Sequence, residues 1–170
     1  TRFTPGLKKL GQDMLETMRR HQGVGLAGPQ IGVMQRIFVA EIPESRGEGE
    51  EPHPQSGQSY ILVNPEIVKI SAETVEGQEG CLSIPGMQGL VERPEWVEVK
   101  AQNVNGKKFK LKVDGFLARI FSHEIDHLNG VLFIDRLSTK ERERIDKELA
   151  ELEPYRSEML NLKEELPPLL

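Results

Sequence analysis

The sequence is poor in cysteine and has no long apolar run. Its single cysteine, Cys81, cannot form an intramolecular disulfide, which suits a reducing compartment and leaves one thiol whose role has to be explained. No apolar segment approaches the length of a membrane-spanning helix, and the N-terminus lacks the charged-then-apolar pattern of a signal peptide. We therefore expect a cytoplasmic protein without a membrane partner.

An excess of positive charge is also missing. The net charge of −5 argues against sequence-independent binding to the phosphate backbone of nucleic acids, so we do not expect this protein to read nucleic acid directly. The lysines of residues 107–113 are expected to form a solvated strand face rather than a basic binding patch. The composition, 37% hydrophobic and 29% charged, is that of a globular protein. Without repeats or a linker, the 170 residues predict a single domain, 1–170.

The pattern of apolar residues and turn signals predicts an α+β fold. Thr4-Pro5 opens a first helix with an apolar face, and a glycine-punctuated loop follows it. Predicted strands span residues 36–42, 60–63, 66–70, 96–104 and 107–113, the last two joined by an Asn105-Gly106 hairpin turn. Residues 43–59 read as an exposed loop, in which His53 is expected to be solvated.

Two further helices are predicted towards the C-terminus. Asp114 is placed to cap a central helix that runs to about Asn129, with Gly130 as a left-handed stop. A capping box at Ser138 opens a charged last helix, so residues 138–170 form a helix and tail that Pro154 should break or kink. The expected fold is therefore antiparallel β-strands around a central metal-binding helix, with N-terminal and C-terminal helices.

The central helix contains H-E-I-D-H at residues 123–127. Residues four apart lie on one helical face, so His123 and His127 can chelate one ion while Glu124 reaches a water bound to it. The alternative is a core helix with two hydrogen-bonded histidines. Burying these polar groups in so apolar a helix is costly unless a metal or partners satisfy them, which favours the metal site.

A catalytic metal needs a third protein ligand, and the residues alone leave several candidates. The protease pattern that adds a third histidine fails because Phe133 occupies its position. Other proteases use a downstream glutamate, for which Glu143, Glu148 and Glu151 are available. Upstream, Cys81 would complete a thiolate and two-imidazole set suited to zinc or iron(II), although a lone cysteine is also commonly a small buried hydrophobe. The glycines and proline around Cys81 indicate a shaped loop rather than a packed strand.

At three separated motifs the chain resembles the peptide deformylases. That family carries a G-x-G-L-A-x-x-Q loop, then E-G-C-L-S, then H-E-x-D-H-L-x-G. The matching segments here are Gly23–Gln30, Glu79–Ser83 and His123–Gly130, and the resemblance runs from about Leu7 to Leu137. Gly28 replaces an alanine and Ser122 a glutamine of the commonest form. The family's N-terminal segment is short or absent here, as expected if the chain begins inside a longer protein.

The resemblance implies removal of the formyl group from the N-terminal formyl-methionine of new polypeptides. It makes Cys81, His123 and His127 the ligands of one divalent metal ion and Glu124 the general base. It assigns oxyanion donors to the side-chain amide of Gln30 and the backbone N–H of Leu82. The residues expected to bind or border the substrate are Gly23, Gly25, Glu79, Arg93, Phe116 and Ile120. For Glu79 the alternative is to orient a ligating histidine, and for Phe116 and Ile120 it is plain core packing.

Iron(II) is the physiological ion that the resemblance implies, with zinc, nickel or cobalt able to substitute. The affinity order of divalent metals favours zinc over iron(II), so the sequence by itself does not select the metal. The expected partners are N-formyl-methionyl nascent peptides, with the ribosome as a candidate and a monomer as the expected state. A protease and a catalytically inactive nascent-chain binder are the alternative classes. A binder has no need of a general base such as Glu124, which favours an enzyme.

Overall fold

A computed structural model describes residues 3–44, 53–148 and 150. Residues 45–52 of the predicted loop 43–59, the site of the break expected at Pro154, and Glu151 lie outside these residues. The described residues form seven strands: β1 (Gly25–Ala27), β2 (Ile37–Glu41), β3 (Ser59–Ile70), β4 (Thr74–Cys81), β5 (Ile84–Pro94), β6 (Trp96–Gln102) and β7 (Lys108–Asp114). The helices are α1 (Pro5–Arg20), α2 (Gly115–Leu128) and α3 (residues 139–148). None of these helices is long and apolar enough to cross a membrane.

Five of the strands form one antiparallel sheet in the order β1-β2-β3-β6-β7. The two predicted strands around Asn64-Pro65 are one continuous strand, β3, with a register shift against β6 between Val63 and Glu66. Asn64 has a positive φ of 49° there, and a proline lacks the N–H of a regular ladder, so the strand continues through an irregularity instead of ending. The hairpin predicted at Asn105-Gly106 is confirmed, but its turn is longer than the two residues expected, because the Gly106 N–H donates to Asn103 O and the Asn103 N–H to Lys107 O.

A separate hairpin, β4–β5, was not predicted. Residues 81–86 were expected to form a shaped loop, and that holds for the turn between Cys81 and Ile84 and for the left-handed Gly86 (φ 80°). The strands on either side were missed because glycine and charged residues dilute their alternation of apolar and polar residues. Cys81 is thus the last residue of β4, at the tip of a two-stranded sheet.

Helix α2 is the centre of the fold and packs on the five-stranded sheet. Phe121 is fully buried and makes edge-to-face contacts with Phe38 and Tyr60, with ring centroids 5.1 and 5.4 Å apart. On the other side of the sheet, α1 contributes the buried Met14 and Met18 to a second apolar cluster. The α+β arrangement around a central helix, with a helix at each end of the described chain, is confirmed.

The helix ends partly follow the predicted capping. Gly130 is left-handed, with φ 75°, as expected, and the Glu141 N–H donates to Ser138 Oγ at 3.3 Å at the start of α3. Asp114 occupies the N-cap position of α2, as predicted, but the expected capping hydrogen bond from its side chain is not made. Its carboxylate instead accepts a hydrogen bond from Gln55 at 2.6 Å. The charged helix α3 is mostly exposed and is anchored by the buried Ile145.

Candidate active site

Three potential metal-ligating atoms converge where the tip of β4 meets α2. Cys81 Sγ lies 3.2 Å from His127 Nε2, which lies 3.1 Å from His123 Nε2. The three ligand atoms all lie within 4.8 Å of one another. One thiolate and two imidazole nitrogens, all aimed at a common point, are a donor set suited to zinc or iron(II). The arrangement fits the metal ion that the motif predicts.

His123 is positioned by contacts outside the ligand set. Glu79 Oε2 pairs with His123 Nδ1 at 2.9 Å, which leaves Nε2 to point towards Cys81 and His127. The buried ring of Phe133 stacks on His123, with ring centroids 6.3 Å apart. The position at which a protease would carry its third histidine therefore holds an aromatic residue that packs on the first one.

The electrostatics of the site favour a thiolate at Cys81. Burial disfavours the charged sulfur, but hydrogen bonds from His123 and His127 outweigh burial and lower the pKa of Cys81 to about 5. Burial likewise opposes ionisation of Glu79, yet the hydrogen bonds from Arg93 and His123 lower its pKa to about 2. At neutral pH the site therefore presents a negatively charged sulfur and a permanently ionised carboxylate behind His123.

Glu124 lies beside the ligand set with one oxygen unsatisfied. Glu124 is 3% exposed. Its Oε2 atom is fully buried and has no hydrogen-bond partner among the described residues. Burial raises the pKa of Glu124 to about 8, and the charges of Cys81 and Glu79 act in the same direction against that of His123. A divalent cation held by the neighbouring ligand set would oppose this rise and favour the ionised carboxylate that a general base requires. An unpartnered buried carboxylate oxygen is costly to fold, which points to a functional reason for keeping it.

Gly25 is what makes room for this carboxylate. A Cβ at Gly25 would lie 2.2 Å from Glu124 Oε1 and 2.7 Å from its carboxyl carbon, closer than side-chain carbons come. The sequence suggested that Gly25 allows a substrate backbone to approach. The structure gives a second reason for glycine at this position: only a residue without a side chain allows β1 and α2 to approach this closely.

Gly25→Ala should therefore disturb Glu124 without touching the ligands. We expect kcat for the deformylation that the resemblance implies to fall at least about tenfold, because the carboxylate must leave its position, with the metal content unchanged. Steady-state kinetics and metal analysis on the same preparation measure both. The control is Gly6→Ala on the exposed side of α1, where the nearest atom to the new Cβ would be Thr4 Oγ1 at an ordinary 3.6 Å. An unchanged kcat in Gly25→Ala would show that Glu124 is not held as described.

Gln30 and Leu82 also lie beside the ligand set. Gln30 Nε2 lies 3.5 Å from Cys81 Sγ and 3.2 Å from Ser83 Oγ, and its Oε1 accepts from the Ala27 N–H at 2.7 Å. That last bond orients the side chain so that the amide nitrogen, a donor, faces the site. Leu82 follows Cys81 in the hairpin turn, and the residue is 42% exposed.

A cavity of about 580 Å³ opens onto these groups. Ten of the sequence-predicted site residues line it, and His127 and Arg93 do not: the lining includes Gly23, Gly25, Gln30, Glu79, Cys81, Leu82, Phe116, Ile120, His123 and Glu124. Phe116 and Ile120 precede His123 on α2 and contribute apolar side chains to the wall of the cavity. His53 is exposed, as expected, and its ring lies 6.2 Å from that of Phe116 at the edge of this region.

Arg93 is not placed where the family resemblance led us to expect. Instead of bordering the substrate cavity it is buried, at 5% exposure, behind Glu79. It donates twice to Glu79, at 2.8 and 2.9 Å, and once to Asp126 at 2.7 Å. Both carboxylates are buried, so they require a paired cation, and this requirement draws the guanidinium inward. The structure thus corrects the expected contact with substrate to an ion-pair role.

Sequence reasoning missed two members of this buried network. Asp126 accepts hydrogen bonds from Arg136 as well as Arg93. Arg119, one helical turn before His123, donates to Glu79 Oε1 at 3.0 Å and to carbonyls of β4 and β5. A charged residue in an otherwise apolar helical face was the available signal, since such a residue is buried only with partners.

The two downstream glutamates that the structure describes do not reach the site. Glu143 is exposed, and Glu148 pairs with Arg144 at 2.6 Å. Glu151 lies outside the described residues. Within the part of the chain that the structure describes, the only group of three potential ligands that converges is Cys81, His123 and His127.

Comparisons with known proteins agree with this geometry. The sequence model of the polypeptide deformylase family matches residues 1–143. The peptide deformylase of Thermus thermophilus is 43% identical over 169 residues, covering 97% of this chain and 84% of that protein. That of Desulforudis audaxviator is 44% identical over 138 residues, covering 81% of this chain and 82% of its own.

Solved structures show the same fold. Peptide deformylase 1B of Arabidopsis thaliana, crystallised in complex with an inhibitor, superimposes with a TM-score of 0.80 at 37% identity, covering 94% of this chain and 83% of that one. The Thermotoga maritima enzyme gives a TM-score of 0.70 at 43% identity, covering 81% and 85%. With the family shown by sequence and fold alike, this chain belongs to the peptide deformylases, hydrolases that remove the N-formyl group from newly synthesised polypeptides.

Proposed function

We propose that Cys81, His123 and His127 hold one divalent metal ion and that Glu124 is the general base of the deformylation reaction. One observation carries the proposal: the three ligand atoms converge beside a buried carboxylate oxygen of Glu124 that has no partner among the described residues. A purely structural cluster would satisfy that oxygen. A site for metal-assisted hydrolysis needs it available for a proton.

A divalent cation at this position would supply Lewis-acid chemistry, which acidifies water and polarises a carbonyl. The thiolate and imidazole donors suit zinc and iron(II) alike. We propose iron(II) as the physiological ion because the family implies it, with zinc, nickel or cobalt as substitutes. Oxidation of the thiolate is then the expected route of inactivation.

Glu124 moves the proton in the proposed reaction. It accepts a proton from water as the water oxygen forms its bond to the formyl carbon. The C–N bond of the formamide then breaks, and Glu124 delivers the same proton to the leaving amine. Formate and a free N-terminal methionine are the products, and Glu124 returns to its ionised form. The position of Glu124 next to both histidines on α2 makes this short proton path possible.

Gln30 and the backbone of Leu82 would stabilise the negative charge that develops on the formyl oxygen. The Gln30 amide is already oriented by the Ala27 N–H, so little reorganisation is required when the charge appears. A neutral amide also donates without adding a charge that would compete with the metal ligands. Because Gln30 Nε2 lies 3.5 Å from Cys81 Sγ, the donor and the ligand set act at one place.

The cavity suits a methionine side chain and the start of an extended peptide. Phe116 and Ile120 would contact the methionine, and the loop at Gly23 would lie along the peptide backbone as an added strand. Since the substrate is a newly synthesised chain, we propose that the protein works in the cytoplasm, where such chains are made.

Formate release from a formyl-Met-Ala-Ser peptide tests this function. We expect release by the iron(II) or nickel form prepared without oxygen, loss of activity when a chelator removes the metal, and recovery when metal is restored. Metal analysis of each sample gives the stoichiometry, expected to be one ion per chain. The unformylated Met-Ala-Ser peptide is the control for hydrolysis of peptide bonds. Metal-replete protein that releases no formate would contradict the proposal.

A further inference from the structure

The ligand set spans two elements that belong to different sheets and cores. Cys81 ends β4 in the two-stranded hairpin, whereas the histidines lie on α2, which packs on the five-stranded sheet. The hairpin has its own small apolar cluster, which includes Met87 and Val91. The relative position of hairpin and helix therefore decides whether Cys81 meets the histidines.

Arg119 ties these two elements together at the backbone. It lies one turn before His123 on α2 and is 8% exposed. Its Nη1 donates to Val91 O at 2.8 Å and lies 3.2 Å from Gly77 O, and its Nη2 donates to Val75 O at 2.6 Å. Gly77 and Val91 face each other across the hairpin, so one guanidinium holds both strands at the same rung.

Glycine at position 77 is what allows this contact. A Cβ there would lie 2.8 Å from both Cζ and Nη2 of Arg119, so any side chain would push the guanidinium away. The same guanidinium donates to Glu79 Oε1 at 3.0 Å, while Glu79 Oε2 pairs with His123 Nδ1. Arg119 thus acts on β4, which ends at Cys81, and on the carboxylate that orients His123.

Arg93 also links the hairpin to α2, but differently. Its guanidinium contacts β4 through the side chain of Glu79, and its contact on α2 is Asp126. Arg119 holds the β4 backbone itself, four and six residues before Cys81. A planar guanidinium can span these separate carbonyls, which a single ammonium group cannot do equally well.

We propose that Arg119 is a positioning residue that holds the β4–β5 hairpin in register with α2, so that Cys81 and the two histidines share one metal ion. This inference rests on the ligand set proposed above. Arg119 itself takes no part in the proton transfers. Loosening it should weaken metal retention and lower turnover, because partners behind the ligands typically contribute 10- to 100-fold in affinity or activity.

The test uses the full chain loaded with cobalt(II), in which a thiolate-to-cobalt absorption band reports Cys81 ligation. The variants are Arg119→Met, Arg119→Lys and Gly77→Ala, which disturb the same contact from its two sides. The control is Arg19→Met, which removes an arginine whose hydrogen bonds go to Glu41 on β2 and Ser59 on β3 rather than to the hairpin. The rate of cobalt transfer to a chelator, the absorption band, kcat and KM are measured for each.

We expect Arg119→Met to speed cobalt transfer about 10- to 100-fold, to shift or weaken the band, and to lower kcat with KM within about threefold. Gly77→Ala should act in the same direction, Arg119→Lys should be intermediate, and Arg19→Met should match the wild type. If Arg119→Met does not fold, the other two variants decide.

Variants that match Arg19→Met in cobalt transfer and in the band would overturn the positioning role. A change confined to KM would also overturn it and make Arg119 a substrate contact. Wild-type protein that binds cobalt without a thiolate band would contradict the ligand set itself. The failure of the proposed function is thereby distinguishable from the failure of this inference.

Discussion

Glu124→Gln should lower kcat for deformylation by about 10²- to 10⁴-fold while the protein keeps its metal, and Glu124→Ala should do the same. The amide has the shape of the carboxylate but cannot accept the proton from water. Because Glu124 Oε2 is buried without a partner among the described residues, the neutral variant should also lose no stability. We expect the thermal midpoint of the metal-free form to be unchanged or raised, as when a functional site stores strain.

Steady-state kinetics, metal analysis and thermal unfolding on one preparation separate these effects. Glu76→Gln is the matched control, because Glu76 is an exposed carboxylate on the same hairpin as Cys81. Its kcat should be that of the wild type. A near-normal rate in Glu124→Gln would show that the general base is wrongly assigned, and loss of metal would show that Glu124 belongs to the ligand set.

Cys81→Ala should abolish tight metal binding and with it the activity. Two imidazoles remain, but the charged sulfur that completes the set is gone. The loss in metal affinity should exceed about 100-fold, beyond the range seen when only a supporting partner is removed. Cys81→Ser, which keeps the shape with a poorer ligand, should behave similarly. Metal content after passage through a chelating column measures the effect, and formate release follows it.

Glu148→Gln is the comparison for Cys81→Ala. Among the downstream glutamates considered as protease-type ligands, Glu148 is the one that the structure describes as partly shielded from solvent. That variant should retain metal and activity. If Cys81→Ala kept its metal and Glu148→Gln lost it, the site would be of the protease type instead. The hairpin also carries Ile84 and Met87 in its apolar cluster, so a folded Cys81→Ala is expected.

Features that depend on neighbours in sequence could be predicted well. The four-residue spacing of His123 and His127 places both on one face of any helix, whatever surrounds it. The left-handed stop at Gly130 and the hairpin turn at Asn105-Gly106 follow from local backbone preferences in the same way. The family motifs then added Cys81 as third ligand, which the residues alone had left open.

Features that depend on long-range contacts could not be predicted from local pattern. The β4–β5 hairpin was missed because its glycines lower the strand propensity of the segment. Gly77 is explained by a contact with α2, since its missing side chain leaves room for the guanidinium of Arg119. The same holds for Gly25, because the carboxylate of Glu124 occupies the space that a side chain at position 25 would need. Arg93 was expected at the substrate and lies in a buried ion-pair network instead.

The sequence by itself determined the chemical groups of this site and the helix that carries two of the proposed ligands. Only the tertiary structure decided that Cys81, 42 residues before His123 in the chain, meets them, and that Glu79, Arg93 and Arg119 stand behind them. The physical reason is that helix spacing is set by backbone geometry within a few residues. The meeting of two separate elements is set by packing and by the need to pair every buried charge.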